Sequence, residues 1–257
     1  MRRPSTYCML VQGLALLAVL VLLGPLGPAA DAAPIIADLG NPTEYTIKAV
    51  NDAGGIIVFD KLFTDFTVVS TNSVGAAAPD ENAIKVTGVY INNAVVQGEW
   101  GLKFNGGWSA GANMIADSTI TFQVSIIEPY RTQGWVIVDN SLWMDGYGWA
   151  GNGFVSISEN VYSADPRLGP APQLVSPPKL IYASAIFNDP VDQRDLTAPV
   201  QDLWVVKDVI ANGSVTAGDF AHISQFYQTF SQVPEPASMI LLGLGGLATF
   251  VARRRRK

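Results

Sequence analysis

The 257-residue sequence has one cysteine and one histidine, and only 15% of its residues are charged. The cysteine, Cys8, lies near the N-terminus, so the rest of the chain can form no disulfide and has no thiolate nucleophile. These two residues are too few of the usual ligands for a zinc site. No phosphate-binding glycine motif or dinucleotide fingerprint is present. We therefore expect a domain stabilised by its core, with no metal and no cofactor.

Basic residues are scarce in the middle of the chain. Of the 16 Lys and Arg residues, two lie near the N-terminus and five at the C-terminus, whereas nearly all of the 22 acidic residues lie between them. The region 33–232 is therefore more acidic than the net charge of −6 of the whole chain. Nucleic-acid binding requires clustered Lys and Arg, so this composition excludes nucleic acid as a partner.

The N-terminus has the features of a secretory signal peptide. Two arginines precede an apolar run over 10–23, and prolines and a glycine then separate this run from small residues at positions 30 and 32. We predict a signal peptide over 1–32, because cleavage after Ala33 would place Pro34 beside the scissile bond. The alternative is an uncleaved N-terminal anchor. Both interpretations direct the following residues out of the cytoplasm.

The C-terminus has an equally specific order of parts. Pro234, Glu235 and Pro236 precede an uncharged apolar run over 237–252, and a basic cluster follows it. As a helix the run is ~24 Å long, which can just cross a bilayer core of ~30 Å when basic side chains reach to the interface. The positive-inside rule places the basic cluster in the cytoplasm. That cluster is Arg253, Arg254, Arg255, Arg256 and Lys257.

This order of parts resembles the PEP-CTERM tail, a family of bacterial sorting signals, over 233–257. The resemblance implies export, a membrane anchor formed by the C-terminal helix, and processing by an exosortase, a membrane-embedded cysteine transpeptidase. It also implies that Pro234, Glu235 and Pro236 are recognised by that enzyme, so the chain is a sorting substrate and not itself an enzyme. The expected destination is the cell surface or the extracellular matrix. The alternative is a plain C-terminal anchor.

The exported region 33–232 has the residue pattern of β-strands. Alternation is clearest over 119–126, where four apolar side chains share one face. They are Ile120, Phe122, Val124 and Ile126. Alternating runs at 46–50 and 63–69 predict further strands. In the run 63–69, strict alternation of side chains would put Phe63 and Phe66 on opposite faces. Many short strands separated by turn residues predict an all-β fold, an antiparallel β-sandwich or jelly roll between a signal helix and a transmembrane helix.

The segment 220–230 fits two interpretations. Phe220, Ile223, Tyr227 and Phe230 recur at near-helical spacing. However, the Asn-Gly pair at 212–213 is a hairpin signal, and alternate residues of the same segment also fall on one face of a strand. We favour the strand.

The aromatic segment 142–154 is the strongest candidate for a binding site. Trp143, Tyr147 and Trp149 are separated by glycines, which favour a shaped loop over a regular central strand. Sugars stack their apolar faces on flat aromatic rings. Two interpretations stay open: the rings pack in the core of a structural protein, or they form an exposed platform for polysaccharide. We expect an exported protein with a structural or binding role, with a carbohydrate-binding module as the alternative.

A secreted hydrolase is the third possibility. Glu99, Glu128 and Glu159 lie on or beside predicted strands, and two carboxyl groups about 5–10 Å apart could hydrolyse a glycoside. The single histidine, His222, is interpreted as structural. The segment 188–195 carries oxygen ligands suited to calcium, but its pattern is not that of an EF-hand, so a turn is the simpler interpretation.

Overall fold

The computed structural model describes residues 32–93, 97–169 and 172–234. The signal peptide predicted over 1–32 lies outside these ranges except for its last residue, and the apolar run over 237–252 lies outside them entirely. No helix in the described ranges is long and apolar enough to cross a membrane. The first half contains the elements β1 (Ile35–Ile36), β2 (Tyr45–Thr46), α1 (Ile47–Asp52), β3 (Ile56–Val58), β4 (Lys61–Asn72), β5 (Lys85–Asn92), β6 (Gln97–Gly111) and β7 (Ile115–Ile126).

The second half is made of strands. They are β8 (Trp135–Ala150), β9 (Phe154–Tyr162), β10 (Lys179–Ser184), β11 (Asn188–Asp189), β12 (Val191–Val200), β13 (Asp202–Asn212), β14 (Phe220–Phe230) and β15 (Gln232–Pro234). The segment 220–230 is thus a strand, as favoured from the sequence.

The strands form two sheets. Sheet A has the order β1-β3-β4-β7-β13-β9-β10-β11, and sheet B has the order β12-β8-β14-β6-β5-β2, with β15 pairing the start of β8. All pairs are antiparallel except β1 with β3. The chain passes from the edge of sheet A to the edge of sheet B at Pro190, between β11 and β12. Proline suits this crossing because it has no N–H to donate to either sheet.

The core lies between the two sheets, as in other sandwiches. The predicted apolar face of β7 is buried. Phe122 of β7 contacts Phe104 of β6 across the interface, at 5.7 Å between ring centroids. Burial of an aromatic side chain such as Phe122 contributes about 1.5–3 kcal/mol. The prediction of an all-β domain of two antiparallel sheets is confirmed.

The strand predicted over 46–50 is wrong, because this segment starts helix α1. Thr46 caps the helix by accepting a hydrogen bond from the Ala49 N–H at 3.1 Å. Ile47 and Val50 are both buried. One helical turn therefore puts on one side two residues that a strand would put on opposite sides.

The facing predicted for β4 is also wrong. Phe63 and Phe66 are both buried in the core. Asp65 between them has a φ of 55°, and the pairing of β4 with β7 shifts between Thr64 and Thr67. The extra residue of this β-bulge reverses the alternation, so both rings reach the same face.

Candidate functional site

Tyr147 and Trp149 of β8 lie on the inner face of sheet B. They stand opposite Ile223 and Ala221 of β14, which are buried in the core, and directly opposed residues point to the same side of a sheet. The two rings stack at 6.1 Å with an interplanar angle of 10°. The Tyr147 hydroxyl donates to Asn188 Oδ1 at 3.1 Å. Both rings are partly buried against the core.

Trp143 points to the outer face of sheet B, the face turned away from sheet A. Its neighbours Leu142 and Met144 are buried in the core, and Trp143 itself stands opposite Tyr227. The Trp143 and Tyr227 rings stack at 4.6 Å with an interplanar angle of 8°. The structure therefore divides the three predicted rings between two faces and pairs Trp143 with a tyrosine that the sequence interpretation had not selected.

Gly146 lies between the inward and outward rings. Its φ is +65°, a conformation that favours glycine, and its carbonyl accepts a hydrogen bond from Ser224 Oγ at 2.6 Å. The alternation of buried residues on β14 shifts by one position beside Gly146, since Ile223 is buried and the next buried residue is Phe226. The expectation of a shaped loop is wrong: 135–150 is one strand, and the glycine permits a local irregularity within it.

Polar side chains surround the stacked pair on the outer face. Lys103 of β6 stands opposite Tyr227. Asp145 and Gln225 form the next opposed pair on the same face, two residues from Trp143 and Tyr227. Gln225 Nε2 donates to Asp145 Oδ2 at 2.7 Å. Burial raises the pKa of Tyr227, so its hydroxyl keeps its proton and can donate. We name Trp143, Tyr227, Lys103, Asp145 and Gln225 the aromatic patch.

A carboxylate is recessed in the same face. Glu99 Oε2 accepts from Thr229 Oγ1 at 2.6 Å, and its Oε1 accepts from Ser141 Oγ at 3.0 Å and from Gln193 Nε2 at 3.2 Å. Burial raises the pKa of Glu99, and the charge of Asp139 acts in the same direction, whereas the hydrogen bonds from the hydroxyls lower it. Glu99 is held in place by neutral donors from three strands.

A cleft of about 520 Å³ adjoins the aromatic patch. Tyr227 and Lys103 line one side of it, and Trp100, Leu39 and Pro42 line other parts. Its volume is within the range of about 300–1,000 Å³ that is usual for ligand pockets. Apolar and polar groups thus meet in one groove on the β5–β6 side of sheet B, with Lys103 and Tyr227 from the outer face and Trp100 from the inner face.

The three carboxylates considered for hydrolysis do not meet in one cleft. Glu99 is on the outer face of sheet B, whereas Glu159 of β9 points into the interior, where Lys207 donates to it and Lys179 Nζ lies 3.3 Å away. Glu128 is exposed between β7 and β8. This placement gives a glycosidase pair no support.

The remaining sequence candidates also have defined places. His222 stands opposite Gly148 on the outer face, and its Nδ1 is buried without a hydrogen-bond partner in the part of the chain that the structure describes. The segment 188–195 forms β11, Pro190 and the first half of β12 rather than a turn. Over the described ranges, no group of three or more His, Cys, Asp or Glu side chains could hold a metal ion.

Comparison with known proteins gave one family match and several distant structural likenesses. Residues 232–256 match the model of the PEP-CTERM protein-sorting motif. TmCBM61 in complex with β-1,4-galactotriose is 12% identical, with 65% of this chain and 88% of that chain covered and a TM-score of 0.29. The family 11 carbohydrate-binding module from Clostridium thermocellum is 7% identical, with 63% and 88% covered and a TM-score of 0.19. No curated protein matched the chain.

Structural similarities with TM-scores this low do not indicate what the chain binds. The described fold and the family match together define a two-sheet β-sandwich followed by a sorting signal. The chain carries a PEP-CTERM sorting motif at its C-terminus. This motif implies export, surface association and processing by an exosortase-type enzyme, as the sequence resemblance indicated.

Proposed function

We propose that this exported protein binds polysaccharide through the outer face of sheet B. The observation that carries the proposal is the stacked pair of Trp143 and Tyr227, at 4.6 Å and 8°, beside polar side chains and a groove. Both rings are half-buried, so the pair leaves part of its apolar surface open to solvent. A sugar offers the matching combination of apolar C–H faces and hydroxyl groups.

The polar members of the aromatic patch match the hydroxyl groups of a sugar. Asp145 is exposed and offers a carboxylate, Gln225 offers an amide, and Lys103 offers a cation. Asp145 and Gln225 already bond to each other at 2.7 Å, so each is held in position before a ligand arrives. Side chains that are ordered in advance lose less entropy on binding. The patch therefore suits an extended neutral or partly acidic polysaccharide better than a nucleic acid.

Trp143 has a different part in this proposal from Tyr147 and Trp149. The latter two face inwards and brace the end of the sandwich, where Tyr147 bonds to Asn188 of sheet A. Of the sequence-predicted platform, only Trp143 stays in the proposed site. Tyr227 replaces the other two.

Sorting determines where this binding takes place. We propose that a signal peptide over 1–32 starts export of a domain over 33–232, and that a helix over 237–252 holds the chain in the membrane until exosortase acts at Pro234, Glu235 and Pro236. The terminal basic cluster, 253–257, keeps the end of the chain in the cytoplasm. The processed protein then reaches the cell surface or the extracellular matrix, where it acts as a binding protein and not as a catalyst.

Binding is tested by retention on exopolysaccharide purified from the producing cells. Trp143→Ala and Tyr227→Ala should each weaken retention about tenfold, since one stacked ring contributes about 1–3 kcal/mol in the comparable case of base stacking. The matched control is Tyr182→Ala, because Tyr182 and Phe154 form another stacked pair, at 5.3 Å, on the outer face of sheet A. Equal weakening in the control, or no retention of the unmutated protein, contradicts the proposal and leaves a structural role.

Sorting is tested separately with the full chain in a host that has an exosortase. Replacement of Pro234, Glu235 and Pro236 by alanine should prevent removal of the C-terminal tail, so the protein keeps its full mass. The fraction of the protein found at the cell surface should fall. Replacement of exposed Pro199, which does not line the groove, by alanine is the matched control. If the triple variant has the same processed mass and the same cellular location as the natural chain, the motif is not used.

A further inference from the structure

A group of charged and amide side chains lies inside the sandwich, away from the aromatic patch. It joins both sheets: three members come from β9, β10 and β13 of sheet A, and two from β8 and β14 of sheet B. Each is at most 2% exposed. We name this group the interior cluster; it consists of Glu159, Lys179, Lys207, Asn140 and Gln228.

One carboxylate oxygen contacts both an amine and an amide. Glu159 Oε1 accepts from Asn140 Nδ2 at 2.7 Å and lies 3.3 Å from Lys179 Nζ. Lys179 Nζ also donates to the main-chain oxygen of Asn140 at 2.6 Å. The lysine amine is therefore held against the same residue whose side-chain amide Glu159 orients. Within the described ranges, Asn140 Oδ1 is buried with no hydrogen-bond partner.

The charges of the interior cluster do not balance. Lys179 and Lys207 both bond to Glu159. The charges of Asp192 and Glu99 also act on Lys179, but in the described part of the chain neither carboxylate forms a salt bridge with it. A buried charge without its own counter-charge is costly. Burial is the main cause that lowers the pKa of both lysines, to about 8 for Lys207. A lysine that loses its proton is a nucleophile.

We propose that Lys179 and Asn140 join in an intramolecular amide bond, with Glu159 as the group that moves the proton. The inference is independent of polysaccharide binding. The bond would connect β10 of sheet A to β8 of sheet B. A domain without cysteine would thereby gain a covalent link between its sheets.

The reaction balances without an oxidant or a second substrate. The lone pair of Lys179 Nζ attacks Cγ of Asn140 and forms the new C–N bond. Glu159 takes the proton released by Nζ and returns it to Nδ2, which it already contacts at 2.7 Å. The bond from Cγ to Nδ2 then breaks, and ammonia leaves. The step starts from the neutral amine of Lys179 and conserves charge. The product amide can no longer take up a proton, so Lys207 is left as the only cationic group of the interior cluster that faces Glu159.

Peptide mapping of the full chain, purified from cells, tests the bond. Trypsin should yield one branched species in which 132–167 is joined to an uncut 168–194, because an acylated Lys179 is no longer a cleavage site. Its mass should be the sum of the two peptides less one ammonia. A digest that contains free 168–179 and no branched species overturns the proposal, as does a bond at Lys207 instead.

Variants separate the chemistry from simple packing. Lys179→Arg, Asn140→Ala and Glu159→Gln should each abolish the branched species, with circular dichroism used to confirm that the β fold is kept. Asn140→Asp is the matched rescue, because an aspartate forms the same amide by losing water. Its branched peptide should have the same mass as that of the natural chain. Persistence of the bond in folded Glu159→Gln, or its loss in folded Asn140→Asp, contradicts the assigned roles.

Discussion

Strands β7 and β8 are both central, yet they differ in how regularly their side chains alternate. Along β7 every second residue from Ala116 to Ile126 is buried, without interruption. Along β8 the inward positions include Asn140 and Leu142, then Met144, and after Gly146 the phase changes so that Tyr147 points inwards. Only β7 keeps one phase over its whole length.

This difference decides where the side chains of the two strands are placed. A strand with a fixed phase packs a continuous apolar row, and β7 supplies much of the core of sheet A. A strand that changes phase places aromatic rings on both of its faces. In β8 this puts Trp143 on the outer face, at the proposed binding site, and Trp149 on the inner face, where it packs against the core.

Removal of a ring from the regular strand should have the largest effect. Phe122→Ala should lower the free energy of unfolding by about 3–5 kcal/mol, because the ring is fully buried among other aromatic rings and leaves a cavity. Thr119→Ala, on the opposite face of β7, should cost less than about 1 kcal/mol. Urea unfolding measures both, and similar values would show that the strand has no buried face.

The phase change in β8 predicts unequal effects for two tryptophans. Trp149→Ala should lower the free energy of unfolding by about 2 kcal/mol, roughly half the cost of a fully buried ring, because Trp149 packs against the core. Trp143→Ala loses one stacked contact and should cost about 0.5–1.5 kcal/mol. Urea unfolding measures both values. A larger loss of unfolding free energy for Trp143→Ala than for Trp149→Ala would contradict the assigned faces.

Substitution at the phase change itself should have a smaller but local effect. A Cβ at Gly146 would lie 2.2 Å from Ser224 Oγ, and the φ of +65° disfavours any other residue, so Gly146→Ala should cost about 1–2 kcal/mol. Gly107→Ala is the matched control, because a Cβ there meets nothing within 4 Å. Equal thermal shifts for the two variants would mean that Gly146 is not required by its conformation.

The smallest effect concerns pH on the outer face of β7. Burial, with Asp208 as the next cause, raises the pKa of Asp117 to about 6. The folded state then binds more protons than the unfolded state, so this group lowers stability as pH rises from about 4 to about 6. Asp117→Asn should therefore be more stable than the natural protein above pH 6, by roughly 1 kcal/mol after solvent screening, and no more stable at pH 4. Melting at both values checks the sign, and a constant difference would contradict it.

The sequence predicted the features that depend on local order. The buried row of β7 follows from simple alternation. The segment 220–230 is a strand, as favoured, but its buried positions change phase between Ile223 and Phe226, so its alternate residues do not share one face. Tyr227 could have been found in this way, because in a strand it must face away from Phe226 and Gln228. The C-terminal motif was recognised because it is a linear signal, read as an order of residues.

Features that depend on pairing between distant strands needed the structure. Asp65 and Gly146 each change the phase of a strand, and nothing local in the sequence shows where a partner strand will impose or accept such a change. The capped turn after Thr46 became a helix because it buries Ile47 and Val50 together. Trp143 and Tyr147 lie on opposite faces because β8 and its partner β14 both change phase near Gly146.

By itself, the sequence determined a cysteine-poor, acidic, β-rich chain with a C-terminal sorting motif, because composition and linear motifs need no partner in space. Only the tertiary structure decided which rings face solvent and that Lys179, Asn140 and Glu159 meet in the interior. Those residues come from three strands in two sheets. Their contact depends on strand register and sheet packing, which are set by the whole chain and not by any one segment.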